Sequence, residues 1–275
     1  MQIPVFFVDA FTDQPFRGNP AAVCYLHKNL DNSIKQKIAR EIGFSETAFV
    51  SLLDENNHSF SLQWFTPELE IDLCGHATLS TAKVLFDYYY QNSRDICFSF
   101  HSKSGILKAY KDKDLIVLDF PVDTPLVSQN DYSQLAGILG IKSDYRVFEC
   151  AGTSNLMFII DSENEIKSLK PDYSRLKELN ISPFSSVVVS AGSTSDFDFV
   201  SRCFAPWEGI NEDPVTGSTH CSLAPYWAEI LDKIELKALQ LSERQGSLFL
   251  ELTEQRLLIK GYAVITLEGF LKNVI

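Results

Sequence analysis

From Ala77 to Phe86 the chain reads ATLSTAKVLF, with Lys83 as its only charge. Leu79, Ala82, Leu85, Phe86 and Tyr89 recur at helical spacing, so a helix is predicted from about His76. A helix that is apolar or small on nearly every side has no face for water, which predicts one wrapped by sheet. Upstream the pattern differs. VFFVDAF (5–11) is short, β-branched and aromatic, and reads as a strand. Asp13, Pro15, Gly18, Asn19 and Pro20 mark a loop, and AAVCYL (21–26) a second strand. Residues 31–42 predict a helix with Ile34, Ile38 and Ile42 on one face and Gly43 beyond its end. ETAFVSLL (46–53) and FSLQWFT (60–66) return to strand. At the other end SLFLELT (247–253), RLLIKG (256–261) and AVITLEGFL (263–271) carry hairpin signals, the last suited to join the first half's sheet.

WFTPELEIDLCGHATLSTAKVL (64–85) recurs in outline as CFAPWEGINEDPVTGSTHCSLAPYW (203–227). Both run aromatic strand, Phe-x-Pro, loop, glycine, helix start. Phe65 and Pro67 match Phe204 and Pro206, Gly75 matches Gly217, and Ser80 and Ala82 match Ser222 and Ala224. Tyr226, Trp227, Ile230, Leu231 and Ile234 continue the second helix, with a kink or a local break expected at Pro225. Matches in a shared order predict a duplication: an α+β chain of two similar halves, each a sheet curled around one buried helix. DFPVDTPLVSQ (119–129) is the expected boundary. The first half would span 1–120, completed by the last strand at about 264–275, and the second 121–263.

Composition narrows the function. Apolar residues make up 45% of the chain, enough for a substantial core. The net charge is −12 with no Lys/Arg cluster, which argues against nucleic acid and against an anionic membrane surface. No apolar stretch reaches the roughly 18 residues of a membrane span. MQIPVFFVDAF lacks the basic start of a signal peptide, so a cytoplasmic protein is expected, with its six cysteines reduced. None of them forms a C-x-x-C pair, and no metal is expected.

In so acidic a chain, a small anion needs a locally positive site. The helix starts at Gly75 and Gly217 offer backbone N–H groups and helix dipoles suited to a carboxylate or phosphate. If the halves are related by a pseudo-twofold, both starts can face one cleft. His76 suits proton handling near neutrality. Asp213, held by Pro214, reads equally as a helix N-cap. Glu46 by spacing alone reads as a solvated surface residue, and Cys74 as either a thiolate or an apolar filler.

The segments VDAFTDQPFRGNPAAV (8–23), FSETAFV (44–50), FTPELEIDLCGHATLSTAKVL (65–85) and EDPVTGSTH (212–220) resemble the PhzF-like proteins of phenazine biosynthesis. The resemblance covers essentially the whole chain. It implies the diaminopimelate-epimerase-like fold, two β-barrel halves each around a central helix with a cleft between them, and a homodimer. It implies a cofactor-independent isomerase in which a glutamate, matching Glu46, moves a proton between carbons of dihydro-hydroxyanthranilic acid. His76 and Asp213 match the accompanying histidine and aspartate. Gly75, Gly217, Ser218 and Asn19 match substrate-binding positions for a small carboxylate. A base for a carbon-bound proton works best with a pKa near working pH, so Glu46 is expected to be desolvated. Two other readings remain: an amino-acid epimerase or racemase using Cys74, and a non-catalytic small-molecule-binding or interaction protein. The first lacks a second cysteine, because Asp213-Pro214-Val215 stands at the opposing position.

Overall fold

The computed structural model describes residues 2–91 and 95–274. The first stretch of chain forms β1 (Ile3–Ala10), β2 (Asn19–Tyr25), α1 (Asn32–Ile42), β3 (Thr47–Asp54) and β4 (Ser59–Phe65). It continues with β5 (Glu70–Ile71), α2 (Gly75–Val84), β6 (Cys97–Ser102), β7 (Gly105–Asp112) and β8 (Leu115–Pro121). There follow β9 (Leu126–Val127), α3 (Ser133–Leu139), β10 (Tyr145–Cys150), β11 (Asn155–Ile160), α4 (Glu163–Ser168) and α5 (Tyr173–Glu178). The last elements are β12 (Ser186–Gly192), β13 (Phe199–Phe204), β14 (Glu212–Asp213), α6 (His220–Leu231), β15 (Glu235–Gln240), β16 (Gly246–Leu252), β17 (Arg256–Gly261) and β18 (Ala263–Leu271).

The chain divides into two units, residues 1–120 with 258–275, and residues 121–257. The division assigns 258–263 to the first unit, ahead of the return expected at 264. Close packing inside that unit explains it. Gly261, at the end of β17, lies so near Phe11 and Leu79 that a methyl group there would stand 2.6 Å from one ring carbon of Phe11.

In unit 1, β1 pairs antiparallel with both β2 and β18. β2 runs parallel to β3, and β3 antiparallel to β4. β4 carries the short β5 antiparallel at one end and β6 parallel at the other, and β6 continues antiparallel to β7. Unit 2 repeats this order. β10 pairs antiparallel with β9 and β11, β11 is parallel to β12, and β12 is antiparallel to β13. β13 carries β14 antiparallel and β15 parallel, and β15 continues antiparallel to β16. α2 fills the β5–β6 connection and α6 the β14–β15 connection, so the repeat seen in the sequence is a repeat of topology.

Each unit is a sheet curled around one helix. α2 touches β1, β2, β3, β7 and β18, and Leu79, Ala82, Val84 and Leu85 are wholly buried. Full burial of a leucine or valine side chain contributes about 1.5–3 kcal/mol. Apart from the half-buried Lys83, the polar residues of α2 are buried too, and the helix itself satisfies two of them. Thr78 donates its hydroxyl to the Cys74 carbonyl at 2.6 Å and Thr81 to the Ala77 carbonyl at 2.7 Å. Beyond Val84 the helix widens into a π turn over Leu85–Tyr89. α1 lies outside this wrapping. Its Ile38 and Ala39 pack on Cys24, Phe49 and Phe65 of the sheet.

Two expectations for the second helix are corrected. α6 begins at His220, not at Gly217: Gly217–Thr219 form a tighter turn, with His220 N donating to the Gly217 carbonyl. Pro225 produces no break, and α6 is continuous to Leu231. A proline at 225 removes the N–H that would bond the Cys221 carbonyl. The backbone N–H of Asp123 takes that place at 3.1 Å.

Candidate active site

Three local devices bring side chains together at the start of α2. The first is the loop from Phe11 to Gly18, which turns β1 back into β2. Asp9 is buried and accepts the Phe16 N–H at 2.7 Å, while Thr12 and Gln14 bond each other at 3.0 Å. Gly18 has φ +64°, and a methyl group there would meet the Ala10 carbonyl oxygen at 2.0 Å. Only glycine allows this path, which sets Asn19 as the first residue of β2. The second device is the parallel β2–β3 pairing, which opens with Ala22 N donating to the Glu46 carbonyl at 3.3 Å and fixes Glu46 just ahead of β3. The third is the N-terminus of α2, where Cys74 is the N-cap residue. The first helical bond is Thr78 N to Cys74 O, so the N–H groups of Gly75 and His76 precede the ladder.

His76 is the hub. Its Nε2 lies 3.1 Å from Glu46 Oε2, its Nδ1 lies 3.2 Å from the Asn19 side-chain amide nitrogen, and Cys74 Sγ lies 3.5 Å from Nδ1. The His76 and Glu46 side chains are 7% and 16% exposed, so little water screens the pair. Burial pushes the Glu46 carboxyl up, but the His76 charge and the hydrogen bonds of His76 and Ser45 outweigh it, and the group ends below its ordinary range. Glu46 is thus desolvated as expected yet not brought towards neutrality, because its partner is an imidazole. Burial pushes the Cys74 thiol up, so at neutral pH it stays protonated and lends His76 no charge. Burial disfavours imidazolium at His76, and the Glu46 carboxylate overcomes this and raises its pKa. Glu46 Oε2, Cys74 Sγ and a His76 ring nitrogen all lie within 4.8 Å of one another.

Asp213, Gly217 and Ser218 belong to unit 2. Asp213 ends β14, and its carboxylate accepts the Thr216 hydroxyl at 2.5 Å. The buried Gln240 on β15 clasps the segment: its amide oxygen accepts Thr216 N at 2.9 Å and its NH2 donates to the Asp213 carbonyl at 2.8 Å. Ser242 secures the next turn by donating to the Pro214 carbonyl. Gly217 is buried and Ser218 half-buried in the turn before α6. His220 faces the interior and donates Nδ1–H to the Thr216 carbonyl at 2.7 Å. Burial holds its pKa down at about 4.

Residues 8–269 match the family model for phenazine biosynthesis-like proteins (PhzC-PhzF). An uncharacterized isomerase of Halalkalibacterium halodurans is 42% identical over 271 residues, covering 98% of both chains. One from Pseudomonas aeruginosa is 44% identical over 271 residues, covering 98% of this chain and 99% of the relative. The crystal structure of a PhzF-family protein from Enterococcus faecalis is 41% identical with a TM-score of 0.91, covering 98% of this chain and 99% of that one. The chain belongs to the phenazine biosynthesis-like family. Its fold is that of the family and of the epimerase-like proteins around it.

Of the residues singled out in the sequence, Asn19, Glu46 and His76 meet beside Gly75 in unit 1. Cys74 joins them, a contact that its spacing to His76 suggested only weakly. Sequence reasoning missed Gln240, which holds the Asp213 segment from a strand 24 residues beyond Thr216. A lone glutamine inside an apolar strand pattern was its only signal.

Proposed function

We propose that the protein is a cofactor-independent isomerase that moves a proton between carbons of a small carboxylic acid. Glu46 takes the proton and returns it. His76 orients the carboxylate and stabilises its charged form through the 3.1 Å contact, which is the observation that carries the reading. The Gly75 and His76 N–H groups suit the substrate carboxylate or the negative charge that develops on proton removal. Asp213, Gly217, Ser218 and Asn19 complete the proposed set, with Asp213 as a second catalytic group. Support comes from the relatives named as isomerases and from a titratable pair with little exposure to solvent. A homodimer and a cytoplasmic location go with this proposal.

Glu46 retains a low affinity for protons while paired with His76, so the proton it takes is readily given back. That suits a shuttle better than a permanent acceptor. The test is incubation with a panel of small carboxylic acids in deuterated water, starting with dihydro-hydroxyanthranilate. A rearranged product carrying deuterium on carbon supports the isomerase. Exchange at a single carbon with loss of its configuration would instead support an epimerase. Tight binding without any exchange would support a binding protein.

A further inference from the structure

The last strand of unit 1 carries a carboxylate in an aromatic setting, away from the groups that handle the proton. On the β1–β18 pair, Phe6 stands opposite Glu268 and Pro4 opposite Phe270. Residues two apart in a strand share a face, so these four side chains form one block. The π turn beyond α2 sets two consecutive tyrosines, Tyr88 and Tyr89, against it. The rings of Phe6 and Tyr88 lie 4.7 Å apart and are tilted by 56°, two walls rather than a flat stack. Tyr88 donates its hydroxyl to Glu268 Oε2, and Tyr89 is held by stacking on Tyr25 at 4.1 Å. Together the six residues line a cavity of about 230 Å³. Phe270 is 60% exposed and Tyr88 43%, so the cavity is open to solvent. It lies at the opposite end of α2 from His76, about 18 Å away along the helix at 1.5 Å per residue.

Charge, hydrogen bonding and size select the occupant. Aromatic rings attract cations through their faces. Among the described residues no lysine, arginine or histidine lines the cavity to balance Glu268. A primary ammonium is strongly hydrated and needs acceptors in exchange for its water. The cavity is poor in them, since Oε2 of its one carboxylate already accepts from Tyr88. A quaternary ammonium needs no acceptor, only aromatic rings and a negative charge nearby. The volume falls below the roughly 300 Å³ at which drug-sized ligands are held, so the cavity takes a head group. We propose that Phe6, Tyr88, Tyr89, Phe270 and Glu268 form a binding site for a small quaternary ammonium compound, with a trimethylammonium head of the choline kind. The site is independent of Glu46 and of the isomerase reading.

The test is NMR titration of the full-length protein with choline, read from the ligand's methyl protons, which aromatic ring currents shift upfield. The neutral carbon isostere of choline, with a tert-butyl group in place of the trimethylammonium, is titrated beside it. Choline should bind in the millimolar range and at least about ten-fold tighter than the isostere. Glu268→Gln keeps the shape and can still accept from Tyr88. It should weaken choline by at least about five-fold and leave the isostere unchanged. Phe270→Ala should weaken choline too. Glu268 and Phe270 are both exposed, so these variants keep the core intact. Glu46→Gln, altered at the far end of α2, should bind choline as the wild type does. Equal affinity for choline and the isostere would overturn the proposal, as would wild-type affinity in Glu268→Gln. Loss of binding in Glu46→Gln would move choline to the other end of the helix and overturn it as well. So would absence of binding to the wild type, and a dimer that Phe270→Asp splits would then assign the face to a second copy of the chain.

Discussion

His220 gives the fold a built-in sensitivity to mild acid. The ring is fully buried on α6, and no carboxylate is among the causes of its shift. Burial lowers its pKa from 6.5 to about 4, while its hydrogen bond to the Thr216 carbonyl opposes the change only in part. In the unfolded chain the same imidazole titrates near 6.5. Between those values the unfolded state binds a proton that the folded state refuses, so stability falls as pH falls. The contribution is intact above pH 6.5 and is lost progressively down to about pH 4. A gap of about 2.5 pH units corresponds to roughly 3 kcal/mol. For a chain of this size that is an apparent Tm drop of about 6–12 °C. The other buried histidine, His76, is shifted the opposite way, and its contribution is already complete below 6.5. His220→Gln can still donate to Thr216 O but cannot take up a proton. Thermal denaturation at a series of pH values from 7.5 to 4.5 should show a smaller acid loss for His220→Gln than for wild type. Parallel curves for the two proteins would refute the argument, since the slope would then come from other groups.

Other expectations follow from the devices that build the sites. Gly18→Ala forces a side chain into a left-handed backbone and a 2.0 Å contact; it should cost more than about 2 kcal/mol in denaturant unfolding, and a cost under a few tenths would mean the loop path is not fixed. Gln240→Leu leaves the Thr216 N–H and the Asp213 carbonyl without their clasp, at about 1–3 kcal/mol for each group. Faster hydrogen exchange at the Thr216 amide should accompany it, and unchanged exchange would contradict the clasp.

Much of the fold was legible because the pattern around each helix is extreme. The small and apolar run after His76 leaves no solvent face, and α2 is enclosed as that pattern demands. The three C-terminal strands were readable from alternation and turn residues. The start of α6 was not, since the Asp213–Thr216 segment that leads into the turn at Gly217–Thr219 is held by Gln240 from a later strand. Nor was the continuity through Pro225, which relies on Asp123 N–H reaching the Cys221 carbonyl. The site divides in the same way. His76 announced itself by its place at a helix start. Glu46 did not, because its position is set by β2–β3 pairing and its partner stands at the start of α2, neither of them a neighbour in the chain. Only the resemblance of FSETAFV to a known family drew attention to it.

The central claim is that Glu46 carries the proton. Glu46→Gln keeps the size and much of the hydrogen-bonding shape but cannot accept it. The decisive measurement is carbon-bound deuterium incorporated into a turned-over carboxylic acid in deuterated water, for wild type and Glu46→Gln side by side, with chelator present and ligand affinity measured in parallel. The account predicts incorporation by wild type, a loss of at least about 10²-fold in the variant, and little change in affinity. Equal incorporation by both proteins would contradict it and remove Glu46 from the mechanism.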